Sequence, residues 1–397
     1  MTKCLLSVAA GNTPAARGAV VDQMLAAAPD AVVLAVSVES RDEKYPVVQS
    51  LLSGVDPTLR NTASLGATGD PVVILRQALL SIRHADRHPH VILALPQNLD
   101  VLPLLAELWR VPTGGSSLAD HFDPAPVVVG IDPASFLADM GCIHRAVQQW
   151  NGSEHGDPLT VAEAAARQVE AADALVVRSA TDNSDDSQAS GVASLTSHLN
   201  ARALLTQCPR DGVPGTELRS SFVRRLPPEA ADERRARLEP VTAALVHRGL
   251  DNGVRTVLWR ARRPVHAERL SGALADVMFG VVRSRGHLWL ASRPDSVVIW
   301  HSAGAHLELR EAGGWLEAGA AGAWEAASPQ RRTLASWFWD DYYGERRNEI
   351  TFTGVDLDHR RIHAVLDATL LTDEELSRGQ ESWASIPDPL LGDADPL

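Results

Sequence analysis

The chain has 397 residues, which is too long for one ordinary hydrophobic core, so we expect two domains. Its hydrophobic fraction of 45% and charged fraction of 22% are typical of a folded soluble protein. The net charge of -13 disfavours a general phosphate-binding surface for nucleic acid. Three scattered cysteines give no disulfide framework and indicate a reducing, cytoplasmic compartment. No apolar stretch approaches the about 20 residues that span a membrane.

Strand and helix signals alternate over residues 1–208, and this alternation predicts an α/β domain with a doubly wound parallel sheet. The predicted strands are short and rich in valine, leucine or isoleucine, as expected of strands buried on both faces. Thr160 and Glu163 form a capping-box pattern that predicts the start of one of the helices between them. The predicted strands are Cys4–Ala9, Ala31–Val38, Val91–Leu95, Val127–Ile131, Ala174–Val177 and Ala201–Leu205.

The composition changes after residue 208. Residues 209–252 are rich in proline, glycine, arginine and glutamate, and we interpret them as a linker with one short solvated helix. Residues 253–384 form a second domain, in which strands joined by short turns predict a mixed α+β layer. Residues 385–397 contain several prolines and aspartates and are expected to form a loose tail.

The stretch Arg283-Ser-Arg-Gly-His-Leu-Trp-Leu-Ala291 is interpreted as a basic turn that leads into a buried strand, Gly286–Ala291. Its alternation also suits a strand with one face buried. Gly286 is a candidate for a positive φ, which glycine adopts at little cost. The aromatic run Trp337-Phe-Trp-Asp-Asp-Tyr-Tyr343 cannot place all its rings on one core stripe of a helix. We assign Trp337 to the core. The candidate interaction residues are Arg283, Arg285, Gly286, Trp289, Trp339 and Tyr342.

The first strand-loop-helix unit lies where a nucleotide-binding α/β protein keeps its phosphate loop. Gly11 follows the strand, but no Gly-Lys-Ser/Thr comes after it. Arg17-Gly18-Ala19 occupies that place, and Ala19 has no hydroxyl for a metal ion. Pro14 also removes one loop N–H. We therefore expect a degenerate loop, no nucleotide, no cofactor, no catalytic residue and no enzymatic activity.

Four other groups contain residue types that bind metals or catalyse reactions. Each has a simpler structural interpretation that we favour, because nearness in sequence says little about geometry. We accordingly expect no metal site. The groups are His359 with His363; Cys142 with His144; His84, His88 and His90; and Ser116, Ser117, Asp120 and His121.

Several motifs of the second domain match those of one known family. Trp259-Arg-Ala-Arg-Arg-Pro264, followed by His266 and by Arg269-Leu270, resembles the segment Arg-Pro-Phe-(His)-Pro-x-Arg-Leu, with Val265 replacing the phenylalanine. Gly280-Val-Val-Arg-Ser-Arg-Gly286 and Trp289-Leu-Ala291 resemble the core Gly-Val-(Leu/Val)-Arg-(Ser/Ala)-Lys-Gly-x-x-Trp-Leu-Ala. Together these motifs resemble the CobW-type family of GTPases and zinc metallochaperones. The resemblance implies a P-loop-NTPase-like first domain followed by a smaller α+β CobW C-terminal domain.

Three motifs that this family uses for its chemistry are missing from the first domain. The phosphate loop is degenerate, and the guanine-binding Asn-Lys-x-Asp is replaced in the stretch from Arg178 to Thr181. The Cys-x-Cys-Cys metal motif is expected near Leu65 to Asp70, where no cysteine occurs. Cys142 and His144 look like that motif only superficially, since they follow a later strand.

Because it lacks both the metal-binding cysteines and the phosphate loop, this chain resembles a branch of the family whose proteins recruit a ribosome hibernation factor under zinc starvation. That resemblance implies a non-enzymatic adaptor whose partners are the 30S ribosomal subunit and a small ribosome hibernation factor. The alternative is a GTP-dependent zinc metallochaperone with an atypical P-loop. Direct RNA binding through Arg262, Arg263, Arg283 and Arg285 is a third, less favoured hypothesis.

Overall fold

The computed structural model describes residues 3–39, 47–53, 62–63, 66–85, 89–97, 99–111, 116–145, 159–179, 187–208, 216–319 and 322–392. The chain divides into two compact units, Met1–Arg235 and Ala236–Leu397. Part of the predicted linker therefore belongs to the first unit, where Phe222 is buried in the hydrophobic core. None of the helices in these ranges is both long and apolar enough to cross a membrane.

The first unit is built on a single sheet of mostly parallel strands. In the described ranges its order is β4-β3-β2-β6-β1-β7-β8-β9, with β5 paired to β3. Strands β2, β6, β1, β7, β8 and β9 run parallel, whereas β3 is antiparallel to β2. The strands are β1 (Cys4–Gly11), β2 (Val32–Glu39), β3 (Val47–Ser53), β4 (Thr62–Ala63), β5 (Ala67–Thr68), β6 (His90–Ala94), β7 (Phe122–Ile131), β8 (Ala174–Arg178) and β9 (Leu204–Cys208).

The α/β class predicted for this unit is confirmed, and the capping box is present, since the Thr160 hydroxyl accepts from the Glu163 N–H. The last predicted strand is wrong by three residues. The Asn200 side chain accepts from the Arg202 N–H and holds a turn, so β9 begins only at Leu204. The helices are α1 (Pro14–Ala27), α2 (Pro71–Ala85), α3 (Val101–Trp109), α4 (Leu118–His121), α5 (Pro133–Met140), α6 (Val161–Ala171), α7 (Ser187–Leu199), α8 (Thr216–Phe222) and α9 (Ala230–Ala236).

The second unit contains an antiparallel sheet of order β10-β14-β11-β12-β13. Its strands are β10 (Val254–Ala261), β11 (Val281–Leu288), β12 (Ser296–Ala303), β13 (His306–Gly314) and β14 (Asn348–Val355). Its helices are α10 (Ala267–Met278), α11 (Ala323–Ala326), α12 (Pro329–Trp337), α13 (His359–Asp367), α14 (Asp373–Ser377) and α15 (Gln380–Trp383). The largest core side chains include Trp259, Trp300 and Phe352, which pack with residues of α10 and α13. This separate antiparallel unit matches the predicted α+β domain.

The predicted loose tail is partly fixed in the second unit. The Asp388 carboxylate accepts hydrogen bonds from the Ser292 hydroxyl at 2.8 Å and from the Arg293 guanidinium at 3.1 Å. Leu390 and Leu391 pack against the hydrophobic core. The segment up to residue 392 is therefore held by an ion pair and by apolar contacts, while residues 393–397 lie outside the described ranges.

The stretch around Gly286 is not a turn. Residues from Arg283 to His287 lie inside β11, which pairs with β12 on one side and β14 on the other. Gly286 does not have a positive φ. A Cβ at this position would lie 2.0 Å from the Glu349 carbonyl oxygen, so glycine is required for the close approach of β14. The prediction of a turn is wrong, because the alternation of polar and small residues in this stretch belongs to β11, the central strand of the sheet.

We expect Gly286→Ala to destabilise the second unit by at least about 3 kcal/mol, because β14 cannot retreat without breaking its strand pairs. Gly272→Ala is the matched control. Gly272 lies in α10 with open space where a Cβ would lie, so alanine should stabilise by about 0.5–1 kcal/mol through helix propensity. Urea unfolding followed by tryptophan fluorescence measures both changes, and equal midpoints for the two variants would contradict the prediction.

Candidate functional site

The connection between β1 and α1 is too short to form a phosphate loop. β1 ends at Gly11 and α1 begins at Pro14, so Asn12 and Thr13 alone join them. The Thr13 hydroxyl caps the helix by accepting from the Ala16 N–H at 3.0 Å. The next N–H, that of Arg17, donates to the Thr13 carbonyl. Two main-chain donors at the start of the helix, the N–H groups of Ala16 and Arg17, are therefore used within its first turn.

Two glycines let the start of α1 lie directly against the carboxyl ends of β1 and β7. A Cβ on Gly11 would lie 2.7 Å from the Arg17 nitrogen. A Cβ on Gly130 would lie 2.4 Å from the Ala16 carbonyl oxygen. In open α/β sheets this edge is where ligands bind. Here the backbone of α1 occupies it.

Asn12 fixes the connection to the loop after β7. Its side-chain oxygen accepts from the Asp132 N–H at 2.8 Å, and its amide nitrogen donates to the Asp132 carbonyl at 3.1 Å. The Gln97 side chain donates to the Asn12 carbonyl at 2.9 Å. Asp132 in turn caps α5 by accepting from the Ser135 N–H. We call this pair of Asn12–Asp132 hydrogen bonds the Asn12 latch.

Arg17 is directed toward the protein itself. Its Nη1 donates to the Leu95 carbonyl at 2.9 Å, and burial lowers the pKa of the guanidinium from its ordinary value. The next residue, Gly18, is an ordinary helical residue with open space around it. Arg17 and Gly18 thus have structural roles at the position of the missing Gly-Lys-Ser/Thr. That the chain binds no nucleotide stays a prediction.

The stretches where the family's guanine-binding and metal-binding motifs would fall lie partly within the described ranges. Arg178 ends β8, and the Ser179 N–H donates to the Cys208 carbonyl, whereas Thr181 lies outside the described ranges. The structure covers residues 66–70, and they contain no cysteine. The Cys142 sulfur lies 3.4 Å from His144 Nδ1, and two such ligands alone do not make a metal site.

The remaining groups have structural hydrogen bonds. Ser117 and Asp120 form a capping box on α4, and the Ser116 hydroxyl lies 3.0 Å from His121 Nε2. His363 Nε2 lies 3.1 Å from the Leu258 carbonyl, so His363 does not pair with the exposed His359.

Two of the three histidines of the group at positions 84–90 lie in different elements, His84 in α2 and His90 in β6. His90 lies in β6, buried beside Ser7, and burial lowers its pKa to about 4. His84 packs edge-on against His121, and His88 lies outside the described ranges.

Two of the predicted interaction residues are buried. Trp289 is 1% exposed and belongs to a core cluster with Trp315 and Trp383. Arg283 is 3% exposed, and its Nη1 donates to the Ser302 carbonyl. Their assignment to a binding surface is wrong, because the strand places them inside the second unit. Arg285 is half-buried and Gly286 contributes only backbone.

The exposed part of the predicted surface is the aromatic run. Trp339 is 49% exposed and Tyr342 is 72% exposed. The assignment of Trp337 to the core is wrong, since this side chain is 78% exposed. The buried residues of α12 are Arg331 and Ala335, and Trp337 comes half a turn after Ala335 on the opposite side of the helix.

Comparisons with known proteins agree with this architecture. The family model of the cobalamin synthesis protein cobW C-terminal domain matches residues 254–370. A Mycobacterium tuberculosis protein named "Zinc chaperone Rv0106" is 30% identical over 324 residues, which cover 81% of this chain and 75% of the relative. The chain therefore belongs to the CobW-type family of zinc chaperones and GTPase relatives.

Two more distant proteins are also similar. A Dictyostelium discoideum protein named "Zinc-regulated GTPase metalloprotein activator 1" is 28% identical over 208 residues, or 51% of this chain and 43% of that protein. The crystal structure of the Zn(II)-bound YjiA GTPase from E. coli aligns with 94% of this chain and all of that chain, at 12% identity and a TM-score of 0.33.

We expect Asn12→Ala to destabilise the first unit by about 1–3 kcal/mol, because it leaves the part-buried Asp132 N–H without its acceptor. Gly18, six residues further along in α1, provides the control. Gly18→Ala should instead stabilise the first unit by about 0.5–1 kcal/mol through helix propensity. Hydrogen exchange of the amides of β1 and α1 distinguishes the two variants. Unchanged protection in Asn12→Ala would show that the latch does not hold the connection.

Proposed function

We propose that this chain acts in zinc homeostasis as a protein-binding member of the CobW-type family that does not hydrolyse GTP. The observation that carries this proposal is the junction of β1 and α1, where two connecting residues and the Asn12 latch take the place of a phosphate loop. The connection to zinc comes from the names of its relatives.

Phosphoryl transfer needs charge stabilisation at the phosphates and a metal ion held by a hydroxyl. The cation near the expected position is Arg17, which is hydrogen-bonded to the Leu95 carbonyl. Ala19 supplies no hydroxyl, and the Asp132 backbone is bound to Asn12. A nucleotide would have to displace several hydrogen bonds before it met a favourable group.

We further propose that the bound partner is a small ribosome hibernation factor, which the chain brings to the 30S subunit in the cytoplasm. The support is the resemblance to the branch that lacks both the metal cysteines and the phosphate loop. The net charge of -13 favours encounter with a basic ribosome-binding protein over encounter with RNA. Two of the arginines of the RNA hypothesis also have internal partners, since Arg262 donates to the Gly344 carbonyl and Arg263 pairs with Asp373.

The second candidate function is GTP-dependent zinc delivery. It is favoured by the names of the relatives, one of which is called a zinc chaperone and another a zinc-regulated GTPase metalloprotein activator. It requires that α1 unwind at its first turn to admit the phosphates, since Thr13 and Ala16 are hydrogen-bonded in the helix cap.

Equilibrium binding of fluorescently labelled GTP with Mg²⁺ separates the two candidates. We expect no saturable binding at concentrations up to about 1 mM, because the N–H groups of Ala16 and Arg17 at the helix start already have hydrogen-bond acceptors. Arg17→Ala should leave this result unchanged. Micromolar binding that disappears in Arg17→Ala would contradict the expectation that the chain binds no nucleotide and would support the GTP-dependent function.

Recovery of partners from zinc-starved bacteria tests the ribosomal proposal. After nuclease treatment, the tagged chain should retain a small basic hibernation factor. Without nuclease treatment, it should retain this factor together with intact 30S subunits. Zinc-replete cells provide the control. Retention of ribosomal RNA that is abolished by nuclease, with no retained protein, would contradict the proposal and favour direct RNA binding.

A further inference from the structure

Three exposed aromatic residues of the second unit lie close together in the sequence, at the end of α12 and just after it. Residues 337–343, which we call the aromatic turn, contain Trp337, Trp339 and Tyr342, with exposed fractions of 78%, 49% and 72%. Phe338, between the two tryptophans, points inward, since the Arg347 guanidinium lies 4.1 Å from its ring centroid. Large exposed aromatic side chains are the residues that most often dominate protein interfaces.

Local hydrogen bonds fix the shape of this turn. One oxygen of the Asp340 carboxylate accepts from both the Tyr342 and Tyr343 N–H groups at 2.9 Å. Asp340 and Gly344 exchange main-chain hydrogen bonds of 2.8 and 2.7 Å, and Gly344 has a φ of 61°, which suits glycine. These N–H groups lower the pKa of Asp340 below its ordinary value, so its carboxylate is charged.

A chain of ring contacts connects the turn to the core. The Tyr342 and Tyr343 rings meet edge to face with centroids 4.7 Å apart, and Tyr343 meets Trp289 in the same way at 5.7 Å. Trp289 then contacts Trp383 at 6.2 Å. Tyr342 is therefore exposed but held in position, which reduces the conformational entropy that binding would cost.

Acidic side chains near the aromatic turn are more exposed to solvent than the Arg346 side chain beside them. Asp341 is exposed. The side chains of Asp373 and Asp295 are 88% and 70% exposed, and each forms an ion pair, with Arg263 and Arg346 respectively. The neighbouring arginines have internal partners. Arg346 is 8% exposed and pairs with Glu317 and Asp295, while Arg262 donates to main-chain carbonyls. The turn thus presents aromatic rings among exposed carboxylates.

We infer that the aromatic turn is the docking surface for a basic segment of a partner protein. Arginine and lysine side chains stack on tryptophan and tyrosine faces and pair with carboxylates, so both features of the turn favour the same chemistry. The acidic surroundings disfavour nucleic acid. This inference rests on the protein-binding function proposed above and assigns that function to a defined surface.

The test uses the full-length chain and a fluorescently labelled peptide of alternating arginine and glycine. Titration by fluorescence anisotropy should show binding that weakens by about fivefold or more in the double variant Trp337→Ala, Tyr342→Ala. Asp341→Lys should weaken it as well, whereas Tyr342→Phe, which retains the ring, should not. A peptide of alternating glutamate and glycine should not bind.

Phe279→Ala is the matched control, because Phe279 is 75% exposed in the same unit but has an arginine, Arg361, beside its ring. This variant should bind the arginine peptide as the unchanged chain does. Thermal melting should show that all variants remain folded, since the substituted side chains are exposed.

Three outcomes would overturn the inference. These are equal binding by the double variant, equal loss in Phe279→Ala, or concentration-dependent dimers that the double variant abolishes, which would make the turn a contact between copies of this chain. The proposed function is tested separately, by GTP binding and by recovery of the hibernation factor. If one of these three outcomes occurred while GTP did not bind and the factor was retained, the proposed function would stand, and the partner would bind at a different surface.

Discussion

The first unit depends on the close approach of α1 to the ends of β1 and β7. Gly11 and Gly130 permit this approach because neither carries a Cβ. Once the helix start lies there, the connection needs only two residues, and the Asn12 latch ties it to the next loop. The direction of Arg17 follows as well, since the Leu95 carbonyl lies within its reach. This edge of the sheet thus packs directly against the start of α1.

In the second unit, the motifs that identify the family are largely structural. Gly286 admits β14, and Trp289 lies within a core cluster. The Arg346 guanidinium lies 5.8 Å from the Trp289 ring centroid and pairs with two acidic side chains. These motif residues therefore hold the second unit together. The exposed aromatic side chains Trp339 and Tyr342 follow α12, outside these motifs.

The sequence was sufficient for features that depend on local chemistry. Runs of valine, leucine and isoleucine predicted the parallel strands, and Thr160 with Glu163 predicted the start of α6. Features set by distant contacts were not predictable. Gly286 resembled a turn residue until β14 was seen beside it, and no local pattern shows which side of α12 carries Trp337 away from the core. The strands β3, β4 and β5 also have no predicted counterparts, because their short segments lack the long apolar runs of the central strands.

The Asn12 latch has a consequence for regulation. GTPases change partners when the γ-phosphate orders or releases their switch loops, so that hydrolysis acts as a timer. If, as proposed, the chain does not hydrolyse GTP, the connection held by the Asn12 latch provides no such timer. The amount of complex formed then follows mass action, through the concentrations of the chain and of its partner. Control would accordingly act on synthesis and degradation of the protein.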